Sequence, residues 1–167
     1  SPGFAGDRYR LEPFAVAPRP EGGMRLVVGG TGSTRTPTLA GRYAAEYNGY
    51  PAPPDVYRAR LDVMRTAAGS AGRDPDTILV STSGAVLAAE SRAEYEELFR
   101  QRAADAEMEL DELEAHYARR STPRGTYEQV AESVAALESV GVRRFYLQRG
   151  LDFDPEADAA LLGVLGT

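Results

Sequence analysis

The residues best placed to do chemistry lie in one run, Leu26-Val27-Val28-Gly29-Gly30-Thr31-Gly32-Ser33-Thr34-Arg35-Thr36-Pro37. The unbroken apolar Leu26-Val27-Val28 reads as a strand buried on both faces, as in an α/β protein. Gly29, Gly30 and Gly32 admit backbone angles closed to other residues and let a ligand approach the main chain. Thr36 before Pro37 reads as an N-cap with proline at the first helical position. A helix start of this kind gathers free N–H groups and the positive end of the helix dipole, which suits a phosphate. The hydroxyls of Thr31, Ser33, Thr34 and Thr36, with the charge of Arg35, add further donors. Glycine-rich strand-to-helix turns also form for packing alone, and that reading stands beside the first. The spacing is neither a Walker loop, which needs a lysine this chain lacks, nor the dinucleotide GxGxxG turn.

Other reactive residue types are less well placed. His116, the one histidine, sits late in a charged stretch beside Glu114, Arg119 and Arg120, and reads as a surface residue. The acids Asp105, Glu107, Glu109, Asp111, Glu112 and Glu114 spread around a helix and do not converge on an ion. Asp152, Asp154, Glu156 and Asp158 are read more simply as a helix start, with Asp154 as N-cap and acids complementing the dipole. We expect no metal site. No GxSxG elbow supports a serine hydrolase. The chain has no cysteine, hence no disulfide and no thiolate ligand.

The elements that must position the glycine turn follow from punctuation and periodicity. Residues 12–23 are rich in proline and glycine and form a loop. Strands are expected at 24–28, about 44–48, 77–83 and 143–147. Helices are expected at 37–43, near 55–68, at 91–103, at about 105–118, from Thr126, and from Asp154-Pro155. Tyr57, Leu61, Met64 and Ala68 share one helical face, with Gly69 as C-cap. Ser91 with Glu94, and Thr126 with Gln129, are capping-box signals. Tyr95, Leu98 and Phe99 would pack inward, and so would Val130, Val134, Leu137 and Val140 ahead of a closing Gly141. Strand and helix alternate throughout, the pattern of an α/β fold with a parallel sheet.

The segment Val28 to Asn48, VGGTGSTRTPTLAGRYAAEYN, resembles the cofactor-phosphate region of the luciferase-like monooxygenase family, which includes the deazaflavin-dependent oxidoreductases. Further landmarks come in that family's order. Gly72-Arg73-Asp74-Pro75 precedes a strand at Ile78 to Ser81, and Gly125-Thr126 with Glu128-Gln129-Val130 opens a helix. Gly141-Val142-Arg143-Arg144-Phe145-Tyr146-Leu147-Gln148 is similar to the last barrel strand, and Phe4 to Leu11 to the connector into this half. The resemblance spans residues 4 to 165. It implies the C-terminal half of a (β/α)8 TIM barrel, with residues 1–23 as connector loop and 24–167 as half-barrel. A whole barrel takes about 250 residues, against 167 here. Ser1-Pro2-Gly3 reads as an expression scar or a cut loop.

The resemblance implies a flavin- or deazaflavin-dependent oxidoreductase passing hydride between cofactor and an organic small molecule. Gly29, Gly30, Thr31, Gly32 and Thr36 would hold the phosphate of coenzyme F-420 (a deazaflavin) or FMN. The absence of lysine and the Tyr146-Leu147-Gln148 ending favour the deazaflavin. Tyr47, Asn48 and Gln148 end strands and would face the active-site mouth, with packing roles as the alternative. The family's tryptophan and aspartate are replaced by Tyr47 and Ala45, which leaves room for a non-catalytic partner or regulatory subunit. Catalytic residues are expected on the absent first-half strands. The expected partner is the N-terminal half of the barrel, as a separate or cleaved chain, or else a second copy in a homo-oligomer. The net charge of −6, from 25 acids and 19 bases, disfavours nucleic acid. No apolar run approaches the roughly 18 residues of a membrane span, and a cytoplasmic enzyme is expected.

Overall fold

A computed structural model describes residues 3–15, 17–18, 21–148 and 154–166. The chain begins with a short antiparallel hairpin, β1 (Phe4–Ala5) and β2 (Arg10–Leu11). Next come β3 (Val27–Gly30), α1 (Arg35–Tyr43), β4 (Glu46–Gly49) and α2 (Pro54–Ser70). A 3-10 turn at Pro75–Thr77 leads into β5 (Leu79–Ala85), which runs almost directly into β6 (Leu87–Ala89). Two helices, α3 (Arg92–Asp105) and α4 (Leu110–Arg119), precede β7 (Arg124–Thr126). The chain then forms α5 (Tyr127–Glu138), β8 (Arg144–Gln148) and α6 (Pro155–Val164).

The four expected strands are parallel neighbours in one sheet of order β3-β4-β5-β8. Each begins one to three residues later than the sequence pattern places it. A second, two-stranded parallel sheet pairs β6 with β7. Nothing in the sequence pattern announces it, because three-residue strands are too short to show alternation.

One face of the main sheet is covered by helices. Tyr57, Leu61, Met64 and Ala68 of α2 are buried there, as their spacing predicts, with Tyr47, Val80, Leu137, Val140 and Val142. Helices α1 and α2 touch through Gly41, where a Cβ would lie 2.8 Å from the Ala68 nitrogen and also strike the Met64 carbonyl. Gly49 has the same kind of role: a Cβ there would sit 2.7 Å from the Tyr57 hydroxyl. That hydroxyl crosses the glycine to donate to the Ser81 carbonyl at 2.8 Å.

Local signals explain most element ends. The capping boxes at Ser91/Glu94 and Thr126/Gln129 both form, and Asp154 accepts from Glu156 N–H and Ala157 N–H. Gly125, at φ 125°, leaves room for the Gln129 side chain to fold back onto the Thr126 N–H. Gly141 closes α5 at φ 110°. The expected stop at Gly69 is corrected: α2 runs through Ser70, and Gly72 takes the left-handed turn at φ 70°. Gly72 N–H bonds the Gly69 carbonyl and Arg73 N–H the Ala68 carbonyl, both at 3.0 Å, the double closure of a Schellman turn. Arg73 then spends its guanidinium on the C-terminus of α1. It donates to the carbonyls of Gly41 at 2.8 Å and Ala44 at 2.5 Å.

Three further expectations change. The first strand is not buried on both faces: Leu26 is 48 % and Val27 53 % exposed, because β3 is a sheet edge and no layer covers its second face. The acidic helix starts at Leu110, not near 105, since Glu107 turns the chain at φ 52°. Tyr95, Leu98 and Phe99 are only half-buried. Phe99 instead packs between Tyr95 and Tyr117, linking α3 to α4.

Three substitutions at two positions test this packing. Gly41→Ala gains helix propensity but forces α1 off α2, and we expect a net loss of about 1–2 kcal/mol. Arg73→Met, which strips the carbonyls at the end of α1 of their charged donor, is expected to cost about 1.5–3 kcal/mol. Arg73→Lys should recover only part of this, since an ammonium lacks the fork that reaches two carbonyls. Urea denaturation midpoints at constant slope check all three.

Candidate active-site face

The glycine turn lies at the C-terminal end of β3. Gly29 pairs with Asn48, and a Cβ on it would sit 3.0 Å from the Asn48 carbonyl. Gly30 ends the strand at φ 151°. Cβ atoms on Gly30 and Gly32 would approach the Thr36 hydroxyl to 3.2 and 3.0 Å, so the turn wraps closely over that one side chain. Thr31 is exposed.

The expected N-cap is corrected here. Helix α1 begins at Arg35 with Thr34 as N-cap, and the Thr38 N–H already bonds the Thr34 carbonyl at 3.0 Å. Thr36 and Pro37 therefore fill the first turn, and Pro37 is buried. The Thr34 side chain makes no capping bond. Proline has no N–H, so the N–H groups of Arg35 and Thr36 remain at the helix start, with no acceptor among the described residues.

The second face of the sheet carries polar side chains. Residues two apart share a face, so Glu46 and Asn48, Ser81 and Ser83, and Arg144, Tyr146 and Gln148 all point to it. Glu46 is only 5 % exposed. Its carboxylate accepts from the Ser81 hydroxyl at 2.6 Å and from the Tyr146 hydroxyl at 2.9 Å. Arg144 lies 3.6 Å from its other oxygen and also donates to the Tyr146 hydroxyl at 3.0 Å. Asn48 continues the chain, donating to Ser81 at 2.8 Å and accepting from Ser83 at 2.9 Å. Three strands are thus bound side chain to side chain across this face.

Of the expected substrate contacts, Asn48 lies in this network and Gln148 is exposed at the end of β8, on the same face beyond β5. The expectation for Tyr47 is corrected. Tyr47 lies on the helix-covered face, fully buried, its ring 6.5 Å from that of Tyr57. Burial raises the pKa of both phenols, opposed by the positive charge of Arg60. Tyr57 is pushed up to about 12, with the neighbouring Tyr47 the second cause. Both are therefore neutral at working pH; Tyr57 donates to the Ser81 carbonyl, while the buried Tyr47 hydroxyl has no partner among the described residues. His116 sits on α4, its ring against Tyr117. Asp154 serves as an N-cap, while Asp152 lies outside the described residues.

Sequence reasoning missed Glu46, Ser81, Ser83, Arg144 and Tyr146. A usable signal was present: polar Arg144, Tyr146 and Gln148 alternate with apolar Phe145 and Leu147, which marks one polar sheet face. It also missed Arg60. Its Nη1 donates to the Tyr50 carbonyl at 3.3 Å, while its Nε is buried without a hydrogen-bond partner. Arg60, Arg119 and Arg120 line a cavity of about 570 Å³ that also touches Thr31.

Among the described residues, no helix is long and apolar enough to cross a membrane. No curated protein matches the sequence. Several solved structures share its fold. An F-420-dependent secondary alcohol dehydrogenase, in complex with an F-420–acetone adduct, superposes with a TM-score of 0.71 at 16 % identity, over 98 % of this chain and 55 % of that one. A monooxygenase from Streptomyces bottropensis gives 0.68 at 21 % identity, over 97 % and 53 %. The oxygenating constituent of 3,6-diketocamphane monooxygenase from Pseudomonas putida, in complex with FMN, gives 0.65 at 18 % identity, over 98 % and 56 %. The chain spans about half the length of these TIM-barrel enzymes, so its four parallel strands with flanking helices are one half of such a barrel. Residues 1–144 match the luciferase-like monooxygenase family, and the chain belongs to that family.

Proposed function

We propose that this chain forms the cofactor-phosphate half of a flavin- or deazaflavin-dependent oxidoreductase acting on an organic small molecule. The observation that carries the reading is the start of α1. Two N–H groups without acceptors among the described residues, those of Arg35 and Thr36, stand at the positive end of a helix dipole. The Thr36 hydroxyl lies directly beneath Gly30 and Gly32, where any side chain would fill the space. A phosphate monoester fits such a cradle: small residues admit it, and N–H and hydroxyl groups donate to it. Gly29, Gly30, Thr31, Gly32 and Thr36 are assigned this role.

Bound FMN or coenzyme F-420 would supply the hydride chemistry. This chain's residues would anchor the cofactor by its phosphate and present a polar wall. On that wall Glu46 holds Tyr146 and Ser81 in fixed orientation, and Asn48 and Gln148 stand nearer the strand ends. Preorganised dipoles of this kind orient a polar substrate without reorganising when it arrives.

The same reading assigns residues 24–167 to the half-barrel and residues 1–23 to the connector, and it requires the other half. Met24, Leu26 and Val27 at one sheet edge are exposed, and an apolar groove beside β8, lined by Val134, Phe145, Leu147 and Leu162, marks the other. Open parallel edges and uncovered apolar side chains are what closure of a barrel removes. The partner we assign is the remaining barrel half, with a second copy of this chain as the competing occupant.

Sedimentation, absorbance and cofactor retention test this. In sedimentation, the purified protein should run as a species larger than one chain, and a denaturing gel should tell a companion polypeptide from self-association. A monodisperse single chain would contradict the half-barrel assignment. The assembled protein should also be yellow with flavin-like absorbance, whereas a colourless assembly that takes up neither FMN nor F-420 points to the regulatory-subunit alternative. Gly30→Val should abolish cofactor retention. Thr36→Val keeps the shape and removes one donor, and should weaken retention about tenfold. Unchanged retention in a folded Thr36→Val protein would remove Thr36 from the site.

A further inference from the structure

One cavity gathers three arginines, Arg60, Arg119 and Arg120, on its lining. Several arginines elsewhere are ion-paired, Arg10 with Glu12, Arg65 with Asp62, Arg92 with Glu96, Arg124 with Glu114 and Arg144 with Glu46, while Arg73 is held by carbonyls. Among the described residues, none of the cavity's three arginines has a carboxylate within ion-pair distance, and no acid lines the space. The chain's net charge is −6, so this is a local reversal of sign. Arg60 is also desolvated on one side, its Nε buried and without a partner. Three guanidinium groups held around one space repel each other, and an anion between them relieves the repulsion.

The walls define the rest of the ligand. Tyr50, Pro51, Ala52 and Val56 give the cavity an apolar side, with Tyr50 43 % and Val56 40 % exposed. A cavity of about 570 Å³ exceeds what a bare inorganic ion needs and suits an organic body. Its position matters too. Thr31 follows β3 and Tyr50 follows β4, so the cavity opens beyond the C-terminal ends of the parallel strands, where ligands of such sheets bind.

We propose that this cavity binds an organic anion, a carboxylate or phosphate ester on an apolar or aromatic body, with Arg119 and Arg120 gripping the charge and Tyr50 and Val56 the body. Planar guanidinium forks suit both anions through paired N–H donors. The site is distinct from the phosphate cradle at the start of α1, although Thr31 joins the two. The anion belongs either to the substrate or to a distal acidic group of the cofactor.

Calorimetric titration of the purified protein, in the assembly in which it is isolated, tests the proposal with benzoate as probe and benzyl alcohol as its neutral counterpart. Benzoate should bind saturably and weaken as salt is raised, while benzyl alcohol should not bind measurably. The Arg119→Gln/Arg120→Gln double variant, altered only at exposed positions, should weaken benzoate tenfold or more with an unchanged melting temperature. Thr36→Val should leave benzoate binding intact, which separates failure of this site from failure of the phosphate cradle. Titration after saturation with FMN, and separately with F-420, identifies the source. Competition assigns the anion to the cofactor, and undiminished binding assigns it to the substrate. Equal binding of benzyl alcohol would overturn the proposal. So would undiminished benzoate binding in the double variant, or no saturable benzoate binding by the wild-type protein.

Discussion

A parallel sheet built from strand–helix units has two faces, and this chain supplies helices for only one. Everything else in the structure answers to that asymmetry. The covered face is apolar and close-packed: Tyr47, Tyr57, Leu61, Met64 and Val80 lie in one cluster, with Gly41 and Gly49 absent of side chain where helix or hydroxyl must pass. The other face holds together through hydrogen bonds. A carboxylate 5 % exposed is costly unless its oxygens are satisfied. Glu46 is satisfied by a neighbour on each of the two strands beyond its own, Ser81 on β5 and Tyr146 on β8. The network therefore ties the sheet from within while leaving its face polar.

The glycine turn sits where these two regimes meet. Gly29 belongs to the polar face, held close to the Asn48 carbonyl, while Gly30 and Gly32 close over Thr36 at the helix start. On the proposed reading, packing and ligand approach are one requirement, not two rival ones. The tight wrap that forbids side chains at Gly30 and Gly32 is also what brings donors together at a single point. The helix start tolerates its missing bonds because Pro37, third in the helix, has no N–H to lose.

What could be read from the sequence was local. The capping boxes at Ser91 and Thr126, the cap at Asp154, the stop at Gly141 and the buried stripe of α2 each depend on residues within one or two turns, and each stands as expected. The errors are tertiary. A run of three apolar residues looks buried on both faces, and only the strand order shows that β3 is an edge with Val27 half in solvent. Period-2 alternation separates the faces of β4 without saying which one meets the helices, so the sequence alone does not place Tyr47 on the helix side. Gly69 and Gly72 are near-equivalent stops until hydrogen bonds choose between them. Arg60, Arg119 and Arg120 are scattered over sixty residues, and only folding gathers them.

Tyr47 bears on whether this chain is a working half or a degenerate one. A replacement at a family tryptophan would count against function if that side chain faced the substrate. Here it faces Tyr57, and the Tyr57 hydroxyl crosses Gly49 to reach the Ser81 carbonyl behind the polar network. The tilted Tyr47 ring packs on the helix side, its hydroxyl buried without a partner among the described residues, and Glu46 and Asn48 stay on the far side, with Asn48 in register with Ser81. Ala45 precedes the strand and its carbonyl accepts the Leu79 N–H at 3.0 Å, so its contribution there is made by the main chain, whatever the side chain. Neither departure disturbs the turn at Gly29–Thr36 or the polar wall. Both departures fall outside the turn and the polar face on which the proposed cofactor and substrate contacts lie.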